Sequence, residues 1–248
     1  VTLLDGKVVL VTGGGHGIGA SIVRALARLG ATVAINYNGS QELAKALAQE
    51  VGNAATFQAD VRDPEAVHAM VEAIVATFGR IDGVVNNAIA GNQSAKFDDA
   101  TWQDYTDMFD FGCKAVVNTA RAAVPHFRKQ GGGRVVNIVT ELWNMGSAEW
   151  STYLAGKGAM VGVSRSLANE LGPDNVTVNM VAPGWMADDK VDTTSADSIG
   201  FGESLPLRRH GSAEEIGNAC AFFLSDLSSY VTGAYIPVTG GRVTQMGA

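Results

Sequence analysis

Cysteine is scarce in this chain. Two stand among 248 residues, Cys113 and Cys220, and their separation matches no metal or redox motif. Four histidines, His16, His68, His126 and His210, are scattered without a ligand pattern, so no structural metal is expected. Positive charge is also short: 18 Lys and Arg face 25 Asp and Glu, a net charge of −7. That balance argues against nucleic acid or an anionic membrane surface as the main partner. No apolar run approaches the ~20 residues a bilayer span requires, so no membrane segment is expected. Val1–Asp5 lacks the basic start and long apolar stretch of a signal peptide. With so few cysteines, the expected setting is reduced and cytoplasmic.

What the chain does have is apolar mass and glycine. The 46% hydrophobic residues and 30 glycines suit one large α/β domain, residues 1–248, with no linker or long-period repeat. Its opening is the most informative stretch. Val8–Val11 is a β-branched and leucine run suited to a strand buried on both faces. Thr12–Gly19 is a glycine-rich turn, and from Ile18 the apolar residues Ile18, Ile22, Leu26 and Leu29 recur at helical spacing. A strand, a glycine turn and a helix N-terminus form an anion site. First-turn N–H groups point outward, the helix dipole favours negative charge, and glycine lets a pyrophosphate approach the backbone. A Walker-type phosphate loop would need Gly-Lys and then Ser or Thr, and this turn has no lysine. A methyltransferase would need an acid after the next strand, which instead ends in Asn36-Tyr37-Asn38.

Strand and helix patterns then alternate. Strands are expected at 31–36, 54–59, 82–86, 134–139, 176–180 and 234–238. Helices are expected at 41–50, from Asp63-Pro64 to Phe78, over 152–171, and from the Ser212–Glu215 capping box to Leu224. A helical stretch over 101–129 is expected to break near Gly112 and Pro125. Repeated βα units predict a doubly wound parallel sheet of the Rossmann type. Residues 187–205 interrupt the rhythm as a long polar loop, the length expected of a substrate lid.

Tyr153 and Lys157 stand four apart on a predicted helix and share one face. A nearby ammonium favours a phenolate, lowering the ordinary tyrosine pKa of about 10 toward a usable acid or base. Thr140 lies at the carboxyl end of a strand, the edge where open parallel sheets bind ligands, and its hydroxyl can hold a substrate oxygen.

These features together resemble the short-chain dehydrogenase/reductase family over essentially the whole chain, and within it the 3-oxoacyl-carrier-protein reductase-like group. The matching residues are VTGGGHGIG at 11–19, Asp60-Val61, Asn86-Asn87-Ala88, Arg134–Ile138, Tyr153 with Lys157, Asn179 with Val181–Gly184, and Val238 with Gly240-Gly241. The resemblance implies an NAD(P)-dependent oxidoreductase acting on a small carbonyl or alcohol. Tyr153 would be the general acid, Thr140 would orient the oxygen, and Lys157 would bind the ribose. The cofactor-binding set it implies is Gly13, His16, Gly17, Ile18, Gly19, Asn36, Asp60, Val61, Asn87, Ala88, Tyr153, Lys157, Pro183 and Gly184, with Asp60 on the adenine and Pro183-Gly184 walling the nicotinamide. Asn86 would sit under the ribose and central sheet. It also implies a homo-oligomer, a tetramer or dimer, with glycines 156, 158 and 162 allowing close approach of the Tyr153 helix. NADP is favoured over NAD, since no acid follows the second strand to repel a 2′-phosphate.

The departures from the family are specific. Threonine replaces serine at 140, 13 residues before Tyr153. Ile89 follows Asn-Asn-Ala where glycine is usual, Gly112 takes the place of a helix asparagine that holds a relay water, and Asp188 stands for a threonine that contacts the carboxamide. They motivate an alternative, a catalytically attenuated dinucleotide-binding subunit or sensor. Asp188, Asp189, Asp192, Asp197 and Glu203 against Lys190 make the 187–205 segment acidic, and Trp143, Trp150 and Trp185 are expected to border the same cleft. Together they point to a small neutral or cationic, partly apolar substrate rather than an anionic acyl-carrier thioester.

Overall fold

The structure is a computed structural model, and it describes residues 2–90, 94–188 and 191–242. In chain order the first half holds β1 (Val8–Val11), α1 (Gly17–Arg28), β2 (Thr32–Tyr37), α2 (Gln41–Val51), β3 (Ala54–Gln58), α3 (Pro64–Phe78), β4 (Gly83–Asn86) and α4 (Trp102–Phe109). There follow α5 (Ala115–Gln130), β5 (Gly133–Ile138), α6 (Leu142–Met145), α7 (Ser151–Leu171), β6 (Val176–Pro183) and β7 (Met186–Ala187). The chain then forms α8 (Ala196–Ser204), β8 (Gly211–Ser212), α9 (Ala213–Leu224) and β9 (Tyr235–Val238).

Seven strands form one parallel sheet in the order β3-β2-β1-β4-β5-β6-β9. The order reverses between β1 and β4, and a crevice opens at such a switch point beyond the carboxyl ends of the strands. β1 shows why the sheet is covered on both sides. Val9 and Val11 pack into one cluster with Ile22 and Leu26 of α1 and Ile216 of α9. Val8 and Leu10 face the other way, into a cluster with Val67 and Ile74 of α3 and Phe127 of α5. Each side chain of this size, fully buried, contributes roughly 1.5–3 kcal/mol.

Local signals place several elements. The Asp63 carboxylate accepts from the N–H groups of Glu65 and Ala66, Pro64 opens α3, and Gly79 ends it at φ 80°. Ser212 and Glu215 form the expected capping box of α9.

Other expectations change. The predicted break at Gly112 is a single π-helical turn, Asp110–Lys114, joining α4 to α5 without interrupting the rod. Pro125 lies inside α5 without ending it. β6 extends past Met180 to Pro183 because Met180–Pro183 pair with Tyr235–Val238 of β9. The 187–205 segment is no bare loop. It carries α8, whose N-cap Ser195 accepts from the N–H of Ser198. Asp189 and Lys190 lie outside the described residues.

Candidate active site

The glycine turn is held open by its neighbours. Gly13 and Gly17 adopt φ of 60° and 55°, a region that disfavours side chains. A Cβ on Gly19 would run into the Gly13 carbonyl and lie 2.6 Å from Asn87 Nδ2. Thr12 is the bracket between β1 and β4. Its hydroxyl accepts from the N–H groups of Asn87 and Ala88 at 3.0 and 3.1 Å and donates to the Val85 carbonyl at 3.3 Å. Asn87 Nδ2 donates to the carbonyls of Thr12 and Gly13. Asn36, 2% exposed, reaches back from β2: its Oδ1 accepts from the Gly13 N–H at 3.2 Å and its Nδ2 donates to the Ala59 carbonyl at 3.0 Å. His16 supplies no side-chain cap to α1.

A cavity of about 610 Å³ starts at this turn. It runs from the β2–α2 junction, Asn38 to Ser40, past Asp60 and Val61, to Thr140, Tyr153, Lys157, Pro183 and Gly184. Gly13, His16, Gly17, Ile18, Gly19, Asn36, Asn87 and Ala88 line it as well. The structure therefore gathers around one cavity the residues that the sequence spreads over 13–184. Asn86 lies outside it. Its buried amide donates to Asn137 Oδ1 at 2.8 Å and accepts from the Thr119 hydroxyl, which locks β4 to β5.

At the far end three side chains converge. Thr140 Oγ1 accepts from the Leu142 N–H at 3.2 Å, and the Thr140 side chain favours the ionised form of the Tyr153 hydroxyl. Lys157 Nζ donates to the Ile138 carbonyl at 2.6 Å and lies 5.7 Å from the centre of the Tyr153 ring. Burial pulls the Lys157 pKa down to about 8. Burial likewise raises Tyr153 above the ordinary phenol, with the Thr140 side chain acting against it. The lowering expected from Lys157 is absent, burial dominates, and the phenol keeps its proton at neutral pH. That is the state a proton donor needs.

The departures also find places. A Cβ on Gly112 would collide with the Gly156 carbonyl, and one on Gly156 with the Met108 carbonyl, so both glycines serve packing within the chain. Gly158 faces Trp143, while Gly162 meets open space. Ile89 and Asp188 line the cavity. Of the tryptophans, Trp150 sets its ring edge-on to Tyr153 at 5.5 Å, Trp185 packs on Phe201 at 4.9 Å, and Trp143 packs against the buried cluster around Met160.

Several residues escaped sequence reading. Arg62 pairs with Asp60 at 2.7 Å, lies over the Phe111 ring at 5.1 Å, and holds the Asp60 carboxyl below its ordinary pKa. Tyr235 donates its hydroxyl to the Thr140 carbonyl at 2.9 Å, and burial pushes its pKa up to about 12. Glu141 and Arg242 pair behind Thr140 at 3.1 Å. Only Arg62 carried a signal, its place two residues after Asp60; the others join distant parts of the chain.

A family model described as enoyl-(acyl carrier protein) reductase matches residues 13–242. The chain is 36% identical over 242 residues to the 3-oxoacyl-[acyl-carrier-protein] reductase FabG of Staphylococcus aureus, covering 95% of this chain and 97% of that protein. A short-chain dehydrogenase from Burkholderia cenocepacia, solved with NADP, superposes with a TM-score of 0.88 at 33% identity, over 96% of this chain and 98% of that one. A blue fluorescent protein from a metagenomic library, solved with NADPH, gives 0.86 at 35% identity, over 96% and 98%. Fold, cavity and sequence agree: the chain belongs to the short-chain dehydrogenase/reductase family of NAD(P)-dependent oxidoreductases.

Proposed function

We propose that the protein uses NADP(H) to interconvert a small carbonyl compound and its alcohol at the cavity end formed by Thr140, Tyr153 and Lys157. The observation that carries this reading is the convergence of Thr140, Tyr153 and Lys157 in the same cavity as the glycine turn, with Lys157 Nζ 5.7 Å from the centre of the Tyr153 ring. The turn fits a dinucleotide, because a Cβ at Gly13 would meet Ala88 at 2.9 Å and one at Gly19 would fill the turn itself. Gly13, Gly17 and Gly19 would hold the pyrophosphate, Asp60 and Val61 the adenine, and Pro183-Gly184 the nicotinamide. The bound cofactor supplies or takes up the hydride. Tyr153 gives its hydroxyl proton to the substrate oxygen during reduction. Thr140 holds the same oxygen, and the Lys157 charge stabilises the phenolate left behind. In oxidation the same proton returns.

NADP is preferred for a local reason. The cavity at the β2–α2 junction is lined by Asn36, Tyr37, Asn38, Gly39 and Ser40, with no carboxylate. Ser40 stands at the N-terminus of α2 without capping it, so the helix end is suited to a 2′-phosphate. NADP and NADPH in the two related structures support the same choice.

The substrate we favour is small, neutral or cationic, and partly apolar. Asp188 lines the cavity, and Trp150 and Ile89 border Tyr153 with apolar surface. The acidic surroundings disfavour a strongly anionic thioester. A panel of neutral ketones beside acetoacetyl thioesters, followed by nicotinamide absorbance, tests this: turnover of ketones supports it, and turnover confined to thioesters overturns it. The attenuated-subunit reading is not favoured, since Gly112 is accounted for by packing and Thr140, Tyr153 and Lys157 line one cavity.

A cytoplasmic homo-oligomer, a tetramer or dimer, completes the proposal. Its support is Trp102, 75% exposed, and Phe109, 38% exposed, on α4 beside α7. Sedimentation as a monomer at micromolar concentration would refute it.

A further inference from the structure

Behind the catalytic threonine lies a contact between three remote parts of the chain. Glu141, the residue after Thr140, is 2% exposed, and its N–H donates to the Pro183 carbonyl at 3.1 Å. Its carboxylate runs beneath Gly184, where an added Cβ would lie 3.3 Å from Oε1. Arg242 Nη1 donates to that Oε1 at 3.1 Å, while Oε2 is buried with no hydrogen-bond partner. The same guanidinium lies over the ring of Phe201, 5.5 Å from its centre. Phe201 belongs to α8 and packs on Trp185 at 4.9 Å and on His210 at 5.1 Å. His210 in turn bridges the Trp185 carbonyl at 3.0 Å and the Ser198 hydroxyl at 2.8 Å.

One cation is thus shared between a buried carboxylate beside the site and the aromatic face of α8. Removing the partner of a buried carboxylate leaves its charge uncompensated, and a cation over a ring is attracted by its quadrupole. We infer that Glu141 and Arg242 are positioning residues that fasten α8 over the Pro183-Gly184 end of the cavity. They govern how long cofactor and substrate are retained there. Arg242 touches neither reacting group in this account; it acts through Phe201 and Glu141. The inference rests on the proposed function for the retained molecules, but not for the fastening of α8.

Four variants of the full chain test it: Arg242→Met, Arg242→Lys, Glu141→Gln and the double variant Glu141→Gln with Arg242→Met. Two readouts apply, the NADPH dissociation rate by stopped-flow displacement and amide hydrogen exchange over 196–204. Arg242→Met is expected to raise both by about tenfold, the scale of losing one charge-assisted contact. KM should rise more than kcat falls. Arg242→Lys, which keeps charge and ring contact, should recover most of the loss. The double variant should be no worse than Arg242→Met alone, since both act in one contact. Unchanged exchange over 196–204 in Arg242→Met overturns the inference whether or not NADPH binds. Faster exchange with wild-type protein that binds no NADPH would instead uphold the fastening and refute the proposed function.

Discussion

Gly112 packs so closely on Gly156 that it cannot carry a side chain: a Cβ on Gly112 would strike the Gly156 carbonyl. Gly156 precedes Lys157, so the π-turn at Asp110–Lys114 is pressed against the helical turn that presents Lys157. Gly112→Ala should destabilise the fold by about 1–3 kcal/mol, the usual range for overpacking. It should also lower turnover beyond the stability loss, by displacing Lys157. Denaturant midpoints and kcat on the same preparation check both. Full stability with full activity would show that the contact is slack.

Lys157 gives a pH prediction. Its folded pKa is lowered to about 8 from 10.5 by burial. Below about pH 8 the ammonium is present in both states, and its desolvation weighs fully against folding. Between about 8 and 10.5 the unfolded chain binds more protons, so this residue adds stability as pH rises, by at most about 1.4 kcal/mol per unit. Above 10.5 the gain is complete. Unfolding free energies at several pH values, wild type minus Lys157→Met, should show that rise. Carbonyl reduction should decline over the same window as the charge is lost. A flat difference would contradict the buried ammonium.

Cofactor choice can be reversed at one position. Asn38 is exposed and lines the cavity at the β2–α2 junction. Asn38→Asp would set a carboxylate beside the place assigned to the 2′-phosphate. NADPH affinity should fall about tenfold or more while NADH affinity holds or improves. Fluorescence titration with both cofactors measures this, and tighter NADH binding by the wild type would refute the assignment.

The legible parts of this protein were those written locally. The Val8–Gly19 strand and turn, the Asp63-Pro64 start and Gly79 stop of α3, and the Ser212–Glu215 box each carry their signal within a few residues. The helix α8 does not. Its residues are mostly small or polar, with glycines at 200 and 202, and Phe201 finds its partners in Trp185, Arg242 and His210. Glu141 and Arg242 lie 101 residues apart and meet only once β5 and β9 are in place. The direction of the Tyr153 shift was likewise out of reach. The spacing to Lys157 shows a possible charge partner, whereas burial, which dominates, belongs to the folded cavity.

The central claim is that Tyr153 moves the proton while the nicotinamide moves the hydride. The most direct measurement is single-turnover oxidation of NADPH by wild type and by Tyr153→Phe, with the best ketone from the panel. The account predicts a loss of about 10²–10⁴-fold in the variant, the usual worth of a positioned general acid, with NADPH affinity changed little. Equal rates in the two proteins would contradict it.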